Sequence, residues 1–274
     1  MLELLQLMKW PFVACLVLPW LLVYLGLHIV RRGVIFVDLA LAQVAALGAC
    51  TALLIGYDVH DWQSYALSIA FTLVGAAVFT FTRMRHDRVP QEALIGIVYV
   101  VAAAAGILVL SKSPGGKEEL QRSLVGELLV VPPQEIGQTL GLFVVVGIVH
   151  FLFRAKFLRI TCDCEEAEQA GLAVRYWDFL FYALFGLVVT SFVHIGGVLL
   201  TFSYLIVPAV CANFLVNSLR AQLIVGWCVA SFASIASLVV TAKGDLPIGA
   251  TIVCGLGLTL VLVGIFVRLR KTRT

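Results

Sequence analysis

Hydrophobic residues run through this chain in blocks of about twenty, separated by short polar or charged connections. That is the length an α-helix needs to cross roughly 30 Å of hydrocarbon. Nine such blocks lie near residues 11–30, 34–56, 64–82, 93–111, 137–153, 176–194, 197–216, 222–241 and 248–267. Within them the apolar residues do not alternate with polar ones, as Ala93 to Leu110 shows. Transmembrane β-strands, which alternate over about ten positions, are therefore excluded. The predicted fold is all-α: a polytopic helical membrane protein with about eight or nine transmembrane helices and one short cytoplasmic helix, forming a single transmembrane domain over residues 1–274.

The span count turns on Phe179 to Leu215. As one straight helix this stretch would measure about 55 Å, nearly twice the hydrocarbon thickness. A turn is expected at Gly196-Gly197, where glycine accepts backbone angles that other residues resist, and Pro208 is positioned to bend the second piece. A re-entrant half-helix there lowers the count from nine to eight.

Composition agrees with the pattern. Hydrophobic residues make up 61% of the chain and charged residues 13%, against about 25% charged in soluble domains, which excludes an ordinary soluble enzyme. The net charge of +3 does not imply nucleic acid, because in a membrane protein the placement of basic residues matters more than their sum. Of the 19 basic residues, one alternating set of loops and ends holds Arg31, Arg32, Arg83, Arg85, Arg88, Arg154, Lys156, Arg159, Arg175, Arg220, Arg268, Arg270, Lys271 and Arg273. The opposite set holds only Lys9, Lys112, Lys117, Arg122 and Lys243. The richer side is assigned to the cytoplasm, which puts the C-terminus inside and, with nine spans, the N-terminus outside. The protein is expected in the cell (inner) membrane, with the lipid bilayer as its solvent. Residues Met1 to Leu7 lack the features of a cleaved signal and read as mature protein. The seven cysteines suggest no disulfide framework, since most sit singly in apolar runs.

Candidate chemistry is sparse. No glycine-rich stretch has phosphate-loop spacing, and Gly115-Gly116-Lys117-Glu118 lacks both the spacing and the hydroxyl. Any ATP would be used by another chain. The histidines at 28, 60, 86, 150 and 194 are scattered, with no His-Glu-x-x-His pattern, so the chain is not expected to be an enzyme. The most unusual cytoplasmic segment is Thr161 to Gly171. Asp163 suits a helix N-cap, Glu165 and Glu166 favour the positive end of the helix dipole, and Gly171 suits the left-handed C′ position. A short helix there is either a plain connector or a docking element for a cytoplasmic partner. Cys162 and Cys164 are two thiols without a nearby histidine, a poor metal site.

Several segments then align with one family. Arg31-Arg32-Gly33, followed by Phe36-Val37-Asp38-Leu39-Ala40-Leu41-Ala42-Gln43, resembles the Arg-Arg … Phe-x-Gly-Asp-Ala-Leu-Ala-His segment of zinc- and manganese-type metal-ion ABC importer permeases. Gln91-Glu92-Ala93-Leu94-Ile95-Gly96-Ile97 is similar to that family's Glu-Ser-Ala-Ile-Gly-Ile, and Leu124-Val125-Gly126-Glu127-Leu128-Leu129 to its Leu-Phe-Gly-Asp-Ile-Leu. Asp163 to Leu172, Gly196-Gly197-Val198-Leu199-Leu200 with Ile206-Val207-Pro208-Ala209, and Asp245-Leu246-Pro247-Ile248-Gly249-Ala250 also match in order. The resemblance implies a permease that pairs with a second copy of itself. It further implies a cytoplasmic ATP-binding subunit, on which the segment at about 161–172 docks as coupling element, and an extracytoplasmic metal-binding protein that delivers the ion. No cofactor would be bound by this chain itself.

The site residues depart from the family pattern. Leu39 stands where the family has Asp and Gln43 where it has His, while Asp38 lies one residue early. Asp38 and Gln43 are about 140° apart around a straight helix, so they cannot face one point. Asp38 remains the candidate metal-interacting residue, with Arg31 or Arg175 as alternative ion-pair partners for it. Gln43, His194 and Asp245 are further candidates for the transport path, and Asp163, Glu165, Glu166 and Gly171 for ATPase coupling. The leading expectation is the permease subunit of an ATP-driven importer of zinc, manganese or iron. The alternatives are a permease for a chelated metal or organic cofactor, and a stand-alone secondary cation transporter.

Overall fold

The computed structural model describes residues 2–58, 61–82, 90–111, 123–126, 128–129, 131–244 and 246–271. Among the described residues the helices are, in order, α1 Leu2–Val17, α2 Pro19–Arg32, α3 Val37–Ile55, α4 Trp62–Phe81, α5 Gln91–Leu110, α6 Pro133–Leu152, α7 Arg154–Cys162, α8 Cys164–Gln169, α9 Val174–Leu215, α10 Leu219–Gly244 and α11 Ile248–Lys271. Among the described residues there is no strand. Eight stretches among the described residues are long and apolar enough to cross a membrane, with Met8–Arg32 counted as one and the whole of α9 as another. The expected break in α9 is present: Gly197, at φ 72° and ψ 169°, leaves the helical region and separates two helical pieces. Pro208 lies inside the second piece. Residues 83–89 and 112–122, and Glu127 and Asp245, lie outside the described residues.

The chain divides into two compact units. One comprises residues 1–30, 125–144 and 195–274. In it the second piece of α9 runs antiparallel to α10: Tyr204 shares a 2.6 Å hydrogen bond with Ser234, and Gln222 donates to Asn213 at 2.7 Å. Glycines set the closeness of approach. A Cβ on Gly26 would overlap the Leu205 carbonyl oxygen, and one on Gly126 would overlap the backbone of Gly196 and Gly197. Gly249, at the start of α11, abuts the Val125 carbonyl in the same way. Three separate sequence segments therefore meet backbone to backbone at the α9 break. In hydrocarbon no hydrophobic drive holds helices together, so such close packing and interhelical hydrogen bonds must do it.

The other unit comprises residues 31–124 and 145–194. Helix α3 packs against both α4 and α5. It ends at Gly56, whose left-handed backbone (φ 102°) lets its N–H reach the carbonyls of Ala52 and Leu53. The first piece of α9 lies against α4 through buried hydroxyls, with Thr72 2.9 Å from Thr190 and Tyr65 2.6 Å from Ser191. Gly48 faces the α4 backbone, where an added Cβ would sit 2.8 Å from the Leu67 oxygen and from the Ser68 Cα.

Small-residue spacing alone does not locate these contacts. Gly106, Gly137, Gly141 and Gly257 all face open space within the chain, whereas Gly255 meets the Ser237 hydroxyl. Replacing Gly26 or Gly48 by Ala should cost about 1–3 kcal/mol of stability, the usual penalty for forcing packed backbones apart. The check is thermal denaturation of the purified protein in detergent. Gly257→Ala, which meets nothing in the chain and gains helix propensity, should be no less stable than the parent.

Candidate functional site

Helix α2 ends in Arg31 and Arg32, cations suited to a helix C-terminus, and Gly33 at φ 68° stops it. The chain turns through Val34 to Phe36 and re-enters helix at Val37, which puts Asp38 in the first turn of α3. An acid is favoured there by the helix dipole. Asp38 is 1% exposed. Its Oδ1 accepts from the Leu39 N–H at 2.8 Å, while Oδ2 is buried with no hydrogen-bond partner among the described residues. The expected ion pair with Arg31 or Arg175 does not form there. Arg32 reaches Asp178 instead, at 2.8 Å, and both side chains are 2% exposed.

The charged neighbour of Asp38 is Glu92, in the first turn of α5. Glu92 Oε1 accepts from the Ile35 N–H in the turn before α3, and Oε2 is buried without a partner among the described residues. Two helix N-termini thus bring together two carboxyl groups that each have one oxygen without a hydrogen-bond partner among the described residues. Sequence reasoning did not name Glu92 as a site residue, although it stands in the quoted Gln91-Glu92-Ala93 motif. Periodicity could not pair α3 with α5; that comes from tertiary packing.

The other candidates do not join this pair. Gln43 is buried on α3, more than a turn beyond Asp38. His194 is exposed, with its ring 5.6 Å from that of Tyr65. Because Gly48 of late α3 meets Leu67 of early α4, the two helices are antiparallel, and Tyr65 and His194 lie at the end of the hairpin away from Asp38. Asp245 falls outside the described residues. Among the described residues no three His, Cys, Asp or Glu side chains form a metal-holding group.

The segment around Asp163 has the geometry its residues suggest. The Asp163 carboxylate accepts from the Glu166 N–H at 2.9 Å, capping α8. At the other end Gly171, at φ 80°, donates its N–H to Glu168, and the Leu172 N–H reaches Ala167. Those two bonds are the Schellman pattern. Glu165 and Glu166 are exposed, and Glu166 lies 3.2 Å from Arg159. An exposed pair of that kind contributes little. Ala167 is fully buried beneath the helix.

The spans carry carboxyl oxygens buried within the chain, and an exposed capped helix lies on a connecting segment. The chain belongs to the ABC 3 transport family, whose profile matches residues 4–268. It is 27% identical over 229 residues to the manganese transport system membrane protein MntC of Halalkalibacterium halodurans, covering 84% of this chain and 76% of that protein. The fold is similar to a chain of PsaBC from Streptococcus pneumoniae, solved with a Fab, at TM-score 0.80 and 21% identity over 96% of this chain and 93% of that one. It is also similar to an inward-facing conformation of a putative metal-chelate type ABC transporter, at TM-score 0.71 and 17% identity over 94% and 87% of the two chains.

Asp163→Ala should remove the α8 cap at a cost of about 1 kcal/mol. The amide of Glu166 should then exchange hydrogen roughly five times faster, read by mass spectrometry, because about 1.4 kcal/mol corresponds to a factor of ten.

Proposed function

We propose that this chain is the membrane-spanning permease subunit of an ATP-driven importer of divalent metal ions, with manganese the first candidate and zinc or iron its competitors. A separate cytoplasmic ATP-binding subunit supplies and uses the ATP, and this chain binds no cofactor of its own. An extracytoplasmic metal-binding protein delivers the ion, and two copies of the chain flank the path. The family match and the manganese transport for which the H. halodurans relative is named support this reading. The exposed, acidic α8 is the element that docks on the ATPase, through Asp163, Glu165, Glu166 and Gly171. The asymmetry of basic residues supports an orientation with that segment and the C-terminus in the cytoplasm.

The observation that carries the cation reading is Asp38. A carboxyl group buried in a span is costly unless it serves an ion or a partner, and its Oδ2 has no hydrogen-bond partner among the described residues. Together with Glu92 it offers hard oxygen donors, which suit manganese better than the nitrogen and sulfur sites zinc prefers. Two carboxyls do not complete a coordination sphere, so the ion would keep part of its water. Such a site holds an ion briefly and releases it, as transport requires.

Reconstituted with an ATPase subunit and a metal-binding protein, the chain should take up manganese into vesicles only with ATP. Uptake without ATP would favour a secondary transporter, and uptake of chelates alone would contradict the free-ion reading. Changing the hydrogen-bonded neighbours of metal ligands costs roughly 10–100-fold in affinity or activity. Asp38→Asn should therefore lower manganese flux at least about tenfold in complexes that still assemble. In a cysteine-free background, a cysteine at Asp58 should react with an impermeant thiol reagent from outside intact cells, and one at Glu165 only after the membrane is opened.

A further inference from the structure

Arg32 is the last residue of α2, and its guanidinium is held by Asp178, Thr161 and the Phe181 ring, with the Tyr182 ring 6.0 Å away. Nη1 donates to Asp178 Oδ1 of α9 at 2.8 Å. Nε donates to the Thr161 hydroxyl of α7 at 3.0 Å. The planar group lies over the Phe181 ring, 3.9 Å from its centroid. Thr161 stands two residues before Asp163, the cap of α8. Aromatic packing closes the same region, since Phe157 of α7 stacks on His150 at 4.4 Å and meets Trp177 at 5.7 Å.

The geometry differs from that of an ordinary helix staple. Guanidinium donors are fixed in one plane, so the positions of Thr161 and Asp178 relative to the end of α2 are set by a single rigid group. Both charged side chains are almost wholly buried, and separating them would leave a charge stranded in apolar surroundings. The pair therefore cannot come apart cheaply, and a displacement of α7 has to be shared by α2 and α9. By contrast, the Arg159–Glu166 pair is half-exposed and stays within the α7–α8 segment. Nη2 of Arg32 is buried and has no hydrogen-bond partner among the described residues, which gives the group a spare donor for a second arrangement of the same partners.

We infer that Arg32 is the positioning residue that transmits movement of the α7–α8 segment to the transport helices α2 and α9, through the Thr161–Arg32–Asp178 chain. This rests on the proposed role of α8 as the ATPase-docking element.

The readout is the number of manganese ions taken up per ATP hydrolysed, measured on assembled complexes in proteoliposomes. Thr161→Val keeps the β-branched shape and removes the hydroxyl that accepts from Arg32, so the Arg32–Asp178 ion pair stays. It should lower the ratio by about tenfold, the factor that one hydrogen bond to a charged group carries. Arg32→Lys keeps the positive charge but loses the planar fork, and should lower the ratio in the same way. A ratio equal to that of the parent in both variants overturns the inference, and so does a loss confined to the yield of assembled complex, because a purely structural tie would change yield and leave the ratio alone. Failure of the functional reading would appear elsewhere: the parent complex would take up no divalent ion with ATP, and the inference would fall with it.

Discussion

A buried charge pair organises one end of this protein. Arg32 and Asp178 come from helices 146 residues apart in sequence and meet with both side chains 2% exposed. Neither charge can enter an apolar interior alone, so wherever one goes the other must follow. That requirement draws the end of α2, the start of α9 and the end of α7 to one point. The Phe157, Trp177 and Phe181 rings then seal it from water. Asp163, the cap of α8, stands two residues beyond Thr161. Asp38 and Glu92 belong to the same compact unit, and each has one buried carboxyl oxygen with no hydrogen-bond partner among the described residues.

Away from this point the structure relies on contact rather than charge. Gly26, Gly48, Gly126 and Gly249 each let one backbone lie directly against another. Buried hydroxyls such as Thr72, Thr190, Tyr204 and Ser234 satisfy one another across helices. The large apolar side chains left exposed, among them Leu108, Phe151, Phe232 and Leu262, are normal for a surface that faces lipid, where no water penalises them. Helix α11 illustrates this, since only 11% of its apolar window is buried within the chain.

Much of the architecture was readable in the sequence because single-helix properties are local. Span lengths, the break at Gly197, the Asp163 cap and the Gly171 terminator all depend on residues within a few positions of one another. The partners of charged residues were not readable. Arg31 and Arg175 were natural partners for Asp38 by proximity in sequence and topology, whereas the buried ion pair nearby joins Arg32 to Asp178. Glu92 was visible as part of a motif, but its approach to Asp38 depends on α5 packing on α3. The glycine spacings gave the weakest guide: Gly137 and Gly141 have the familiar spacing, yet a Cβ there would meet nothing among the described residues, while Gly26 stands alone in α2 and makes one of the closest approaches. A one-dimensional pattern records that a helix can be approached, and tertiary structure decides whether it is.

The central physical claim is that Arg32 and Asp178 are mutually dependent, and a double-mutant cycle on thermal stability in detergent tests it most directly. Arg32→Met and Asp178→Leu should each destabilise the protein by about 3–5 kcal/mol, because each strands the other charge. The double variant, with no charge left to strand, should be more stable than either single variant, giving a coupling energy of about 2 kcal/mol or more. Additive losses in the double variant would contradict the account, since they would mean that the two charges do not depend on each other.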